Sequence, residues 1–323
     1  MFVVSANFKI SPWSLLTQMS DVATEVAQES AQNLDGLVAL STCNRVEFYG
    51  ESANDLQAIR AITTLCAEKL NVEPETLFNQ LLVLRDVEAI EHLTRTTCGL
   101  EAIAVGENEI GGQVRRAYTN AIRENRVTSS MRRIFDHALR VNKDLRKIDE
   151  LPKNDLLTIA LQKIDGESAI ESALVIGTGE YARVVHELLH LRGVRNHFNY
   201  STSGRRITLP FSAQKVKPQE LISIMEKVDV VIAATGADTP VISQQHVENL
   251  AKIPMFLDLT LGEDIAVDVS EVATVVRLED LATASSHEAT TAADHYVRTQ
   301  AQLLAHKMNT VFQPHSRAER HSA

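Results

Sequence analysis

Ser172-Ala173-Leu174-Val175-Ile176-Gly177-Thr178-Gly179-Glu180-Tyr181-Ala182, running on into Arg183-Val184-Val185-His186, decides the fold of the second half of this 323-residue chain. Five residues of strand character meet a Gly-x-Gly-x-x-Ala turn, and an apolar-faced helix follows. Gly177 permits the tight turn, Gly179 lets the backbone approach a pyrophosphate, and Ala182 allows close helix–strand packing. The helix N-terminus, with Glu180 and Tyr181 in its first turn and Thr178 just before it, faces the anion with free N–H groups. Three more apolar strands follow at helical intervals: NHFNY from Asn196, DVVIAA from Asp229 and MFLDLTL from Met255. Strands alternating with helices give a doubly wound parallel sheet, the Rossmann-type dinucleotide-binding fold.

An NAD site would place an acid about twenty residues past the turn. Here the second strand ends in Ser201-Thr202-Ser203-Gly204-Arg205-Arg206. Ser203, Arg205 and Arg206 suit a 2′-phosphate, so NADPH is the expected cofactor. His186-Glu187-Leu188-Leu189-His190 matches a zinc-protease pattern, with Gly193 beyond it. The third histidine of that pattern falls on Asn196, and His197 misses by one. The segment is the dinucleotide helix itself, so no metal is expected and Gly193 reads as the helix stop.

The first half alternates strand-like and helix-like stretches without a clean βαβ repeat, which predicts an α+β domain. FVVSANF and LVALSTCNRVEFYG (37–50) read as strands, SPWSLLTQMSDVATEVAQES and NDLQAIRAITTLCAEKL as helices. LPKND, around Pro152, is the strongest punctuation. The whole reads as an α/β multidomain chain. Its expected parts are an α+β catalytic domain (1–151), a Rossmann NADPH domain (152–283), and a C-terminal long helix with a polar tail (284–323).

Composition narrows the function. Hydrophobic residues form 44% of the chain, yet no apolar run approaches a membrane span. The N-terminus lacks the pattern of a secretion signal. Cys43, Cys66 and Cys98 form neither a CxxC pair nor an even disulfide set, so a reducing cytoplasm is expected. A net charge of −10 argues against a generic nucleic-acid binder. Between Arg115 and Lys147, however, ten basic residues face three acids, a local excess that could bind phosphates. Cys43 stands two residues from Arg45, and a nearby cation favours the thiolate.

LSTCNRVEFY resembles the cysteine motif of glutamyl-tRNA reductases, the first enzymes of five-carbon tetrapyrrole synthesis. His92-Leu93, the run Gly99 to Glu107, Ile110 and Gly112-Gln113-Val114 resemble the family's substrate-pocket segment. Asn7 to Pro12 matches its start more loosely. The resemblance covers about residues 1–313. It implies that Cys43 attacks the aminoacyl ester and leaves a thioester, which hydride from NADPH reduces to glutamate-1-semialdehyde. It implies Arg45 as the grip on the glutamate carboxylate, Thr42 and Asn44 as the pocket rim, and His92 as an activity-critical histidine near the thiol. Glu107, Asn108, Glu109 and Gln113 would contact substrate. Ala102 stands where the family has a serine, Glu109 replaces a glutamine, Gly262-Glu263 a Pro-Arg pair, and Phe8 a histidine. The implied partners are glutamyl-tRNA and an aminotransferase that accepts the aldehyde. The family's helical dimerisation domain has no counterpart, so a monomer or weak homodimer is expected. A non-catalytic NADP- or tRNA-binding regulator on the same fold is the competing reading. The apolar residues Tyr296, Leu303, Leu304, Met308, Val311 and Phe312 are expected to form the contact stripe of the final helix.

Overall fold

The computed structural model describes residues 1–147, 156–164, 170–235, 237, 239–284 and 291–312. The domain boundary expected at 151/152 and the polar tail from 313 lie outside them. Contacts group the chain into two units, the first containing residues 1–147 and helix 291–312, the second containing 156–284. The final helix, read in the sequence as a third part, thus joins the first unit.

The first unit runs β1 (Phe2–Asn7), α1 (Trp13–Ser30), β2 (Gly36–Thr42), β3 (Arg45–Glu51), α2 (Asp55–Leu70), α3 (Pro74–Phe78), β4 (Leu82–Arg85), α4 (Asp86–Thr97), α5 (Glu109–Arg123) and α6 (Ser129–Leu145). Its four strands form an antiparallel sheet in the order β2-β3-β1-β4. Segment 37–50, expected as one strand, is two. Thr42 pairs with Arg45, so the chain reverses across Cys43 and Asn44 alone. Apolar alternation continues on both sides, and no Gly or Pro marks the reversal. Instead the Asn44 N–H donates to Thr42 Oγ1 at 3.2 Å, and the Phe8 N–H to the Asn44 carbonyl at 3.1 Å. Asn54 caps α2 by accepting from the Gln57 N–H, and Thr128 caps α6 by accepting from Met131. The core lies between sheet and helices, where Phe135 stacks on Tyr118 and meets Tyr49 edge-on.

The second unit runs α7 (Leu156–Ile164), β5 (Ser172–Ile176), α8 (Glu180–Leu191), β6 (Asn196–Tyr200), β7 (Gln214–Val216), α9 (Leu221–Met225), β8 (Val230–Ala233), α10 (Gln244–Val247), β9 (Met255–Asp258), β10 (Val275–Arg277) and α11 (Leu278–Ala284). The sheet is parallel, ordered β10-β9-β8-β5-β6-β7, so the chain leaves β5 toward one edge and returns beside it as β8. That reversal is the topological switch point at which ligands of such sheets bind. The edge strands β7 and β10 were not legible, each being three residues long.

α12 (Thr291–Phe312) folds onto the first unit through a different stripe from the one expected. Ala293, Val297, Ala301 and Ala305 are buried, while Leu303 is 48% exposed. Leu304 and Met308 pack at the edge of the core, and Tyr296 beside the cluster around Cys98 and Val141. The side chains of Val311 and Phe312 are outside the described residues. Small residues let helix axes approach closely, so the alanine face, not the leucines, sets the contact. Ala301→Glu is therefore expected to destabilise the first unit by about 3 kcal/mol or more, since it buries an unpaired charge. Leu303→Glu should stay within about 0.5 kcal/mol of the parent. Thermal and denaturant melts of the two variants decide between the faces.

Candidate functional site

The hairpin presents Cys43 partly buried at its tip, between Thr42 and the buried Asn44. Asn44 Oδ1 is buried without a hydrogen-bond partner among the described residues, leaving an acceptor beside the thiol. Below the tip, Glu47 is fully buried and gathers four donors. Ser5 Oγ, Arg45 Nη1 and His92 Nε2 donate to its Oε1 at 3.0, 2.9 and 2.9 Å, and Tyr49 Oη to its Oε2 at 2.5 Å. Burial alone would raise the Glu47 pKa, but His92, Arg45 and the Tyr49 hydroxyl outweigh it and hold it well below the usual carboxylate range. Tyr49 is pushed well above the ordinary tyrosine value by burial and by Glu47, so it stays a donor.

Two sequence expectations bear on this site. Arg45 is only 2% exposed, and its guanidinium also reaches Thr96 Oγ1 at 3.3 Å and the Glu101 carbonyl. It braces the hairpin internally through these partners, in addition to the contact to a substrate carboxylate that the sequence predicts. The thiol is not acidified. Burial first, then Glu107 and Glu109, raise the Cys43 pKa to about 12, and the opposing pull of Arg45 is the smallest influence. His92 is spent on Glu47 and acts on the hairpin through that carboxylate.

The loop from Cys98 to Asn108 carries the remaining candidates. Gly99 has φ +77°, and a Cβ there would meet the Glu107 carbonyl at 2.6 Å, so only glycine closes the loop. The Gly106 N–H bonds back to the Gly99 carbonyl at 3.0 Å. Ala102 is buried in the loop, Asn108 is exposed, Glu109 opens α5, and Gln113 stands one turn further along it. Glu101 pairs with Lys9 and Arg95, each at 2.5 Å. Burial opposes its ionisation, but Lys9 and Arg95 bring its pKa down to about 2.

Sequence reasoning missed Arg146, counting it only as one of a basic surface run. Its guanidinium turns inward from the end of α6, donating to the Glu107 carbonyl at 2.8 Å, the Cys98 carbonyl at 3.4 Å and the Gly106 carbonyl. Sequence has no sign for a side chain that binds carbonyls.

In the second unit, Gly177 has φ +128°, and a Cβ there would meet the Ala234 carbonyl oxygen at 2.5 Å. A Cβ on Gly179 would meet nothing within 4 Å, and no side chain caps α8. Thr178 is part-exposed beside this open N-terminus, with Glu180, Tyr181 and the buried Ala182 in the first helical turn. The chain thus has the open backbone cradle a pyrophosphate needs. Asn199 Nδ2 braces it, donating to the Val175 and Gly177 carbonyls at 3.1 and 2.7 Å. Ser203, Arg205 and Arg206 are exposed beyond β6. A second missed residue joins them: Lys215 donates to the Gly204 carbonyl at 2.6 Å and lines a cleft with Arg206 and Asn199. It lies on an edge strand that the sequence did not reveal.

The histidines of the HExxH stretch are parts of the fold. His186 is fully buried, its Nδ1 lies 3.2 Å from Nδ1 of His197, and burial followed by His197 pushes it down to about 3. His190 stacks on Phe211. Among the described residues no three His, Cys, Asp or Glu side chains are set to hold a metal, and no helix is long and apolar enough to cross a membrane.

Residues 4–148 match the family model described as glutamyl-tRNAGlu reductase, N-terminal domain, and residues 158–284 match shikimate / quinate 5-dehydrogenase. The glutamyl-tRNA reductase of Tropheryma whipplei (strain Twist) is 31% identical over 262 residues, covering 77% of this chain and 58% of its own length. That of Thermodesulfovibrio yellowstonii is 27% identical over 290 residues, covering 82% of this chain and 68% of its own. The solved glutamyl-tRNA reductase from Methanopyrus kandleri aligns with 96% of this chain and 80% of that one at 23% identity and TM-score 0.48. The chain thus spans under two thirds of the length of the first of these relatives. Its class is a dehydrogenase-type nucleotide-binding domain joined to a thiol-bearing α+β domain. Within that class it belongs to the glutamyl-tRNA reductase family.

The electrostatics of the thiol can be tested directly. Removing both carboxylates in Glu107→Gln/Glu109→Gln withdraws two influences that raise the Cys43 pKa. The pH profile of Cys43 alkylation by iodoacetamide should move to lower pH, with a higher rate at pH 8. An unchanged profile would show that neither carboxylate faces the thiol. Arg206→Ala/Lys215→Ala should weaken NADPH far more than NADH, by ~1.5–3 kcal/mol per lost phosphate contact. Isothermal titration of both cofactors checks it.

Proposed function

We propose that this chain is an NADPH-dependent glutamyl-tRNA reductase acting through a thioester on Cys43. Attack of the Cys43 thiolate on the glutamyl ester carbonyl breaks the bond to the tRNA ribose oxygen, which leaves as a hydroxyl on taking a proton. The acyl group then sits on sulfur, which splits one hard reduction into two easier steps. Gly177, Thr178, Gly179 and the N-terminus of α8 would hold the pyrophosphate of NADPH, with Arg206 and Lys215 at its 2′-phosphate, and the bound cofactor would supply the hydride that reduces the thioester to glutamate-1-semialdehyde and frees the thiolate. Thr42 and Asn44 flank the reacting sulfur, and the free Asn44 Oδ1 suits an ammonium donor. Glu107 and Glu109 suit the same positive charge. Glu47, Arg45 and His92 hold the hairpin in place. The product would enter tetrapyrrole synthesis by transfer to an aminotransferase.

The observation that carries this reading is a part-exposed cysteine at a hairpin tip braced by the buried Glu47 network, in a chain that also bears an open dinucleotide cradle. One observation favours the second reading, a non-catalytic binder: a thiol raised to about 12 is almost wholly protonated at neutral pH. A turnover assay with glutamyl-tRNA and NADPH separates the two. The parent should form glutamate-1-semialdehyde, and Cys43→Ser should lose at least about a thousandfold in rate, since a hydroxyl without a strong base is a far poorer nucleophile. Cys66→Ala should keep turnover in the folded fraction, because Cys66 is buried in α2. Full activity in Cys43→Ser would end the thioester scheme, and an inactive parent would favour the binder.

A further inference from the structure

The ten basic residues between Arg115 and Lys147 do not act alike once placed. Arg146 is turned onto loop carbonyls, Arg126 onto Glu124 and the Ala27 carbonyl, and Lys147 onto Asp144 at 2.8 Å. The outer face of α6 keeps Arg132, Arg133, Arg140 and Lys143, all exposed. None of these four makes a salt bridge among the described residues. Arg132, Asp136, Arg140 and Lys143 follow one another at four, four and three residues, so they lie along one ridge. The single acid of that ridge is drawn aside: Asp136 Oδ1 accepts from Tyr118 Oη of α5 at 3.1 Å. Lys307 of α12 lies close by, since His137 is lowered by burial and then by Arg140 and Lys307 together. The ridge runs roughly 17 Å at 1.5 Å per residue. Asp144 also acts on Arg140 and Lys143 but is hydrogen-bonded to Lys147, so exposed cations stay in excess along this face of a chain of net charge −10.

We infer that the outer face of α6, extended by Lys307, is the docking surface for the phosphate backbone of the substrate RNA. The inference rests on the reading that glutamyl-tRNA is the substrate, and adds where that RNA is held. Charge complementarity carries it. Arginines and lysines spaced along a helix ridge meet successive phosphates without reading sequence. The acidic remainder of the surface repels RNA, so one cationic ridge both attracts and orients it.

The test measures binding of fluorescently labelled tRNA-Glu transcript to the full chain across 50–300 mM salt. It compares the parent with Arg133→Glu/Arg140→Glu/Lys143→Glu and with the neutral Arg133→Gln/Arg140→Gln/Lys143→Gln, which guards against effects of repulsion or misfolding. Both variants should keep the parent's NADPH affinity and melting temperature. The slope of log Kd against log salt should fall by about 2 to 3, with affinity at 100 mM salt weakened about tenfold or more. Parent-like slopes and affinities in both variants would overturn the docking surface while leaving the substrate reading intact. A parent with no salt-dependent tRNA binding would overturn both. Selective binding to phosphatidylglycerol vesicles, with tRNA ignored, would assign the ridge to a membrane and also overturn the inference.

Discussion

A fully buried carboxylate governs the first unit. Removing Glu47 from water carries a cost of several kcal/mol, which is offset only when its lone pairs are met by well-placed donors. Here the donors come from β1, β3 and α4 as Ser5, Arg45, Tyr49 and His92. Each must keep its register for the others to remain satisfied, so the network fixes the sheet against the helix that covers it. The Cys43-Asn44 reversal sits directly above this anchor and inherits its rigidity. A sulfur held on such a support has little conformational freedom left to lose on binding.

The same network explains why the arginine acidifies the thiol so little. Its charge is already matched by Glu47, so little of its field reaches Cys43, whereas Glu107 and Glu109 act on the sulfur from the loop. The pocket is electronegative around a protonated thiol. A positively charged group placed between those carboxylates would cancel their effect and favour the thiolate. Reactivity would then depend on occupancy, which would keep an idle cysteine inert.

The parallel sheet was legible because its signals are local. A strand, two glycines of fixed spacing and a helix suffice to define the cradle, and the φ of +128° at Gly177 shows why no other residue would serve. What the sequence hid was long-range. The hairpin was masked because apolar alternation passes through Thr42 and Arg45 without a break residue. Arg45 and His92 were visible as reactive types, but their shared partner Glu47 was passed over as an ordinary strand residue. Arg146 reads as surface charge because backbone carbonyls leave no trace in sequence. In α12 the leucines outweighed the alanines by hydrophobicity, whereas close approach of the helix favoured the smaller side chains.

The Arg146 contacts carry one more consequence. The Arg146 clasp on the Cys98–Glu107 loop is made through main-chain oxygens, and the loop needs glycine at positions 99 and 106, both at positive φ. The Arg146 clasp therefore does not depend on the side chains of the loop residues it holds. An exposed position such as Asn108 can change identity without unseating the backbone that carries it. The loop is a fixed frame whose exposed positions can be exchanged at little risk to folding.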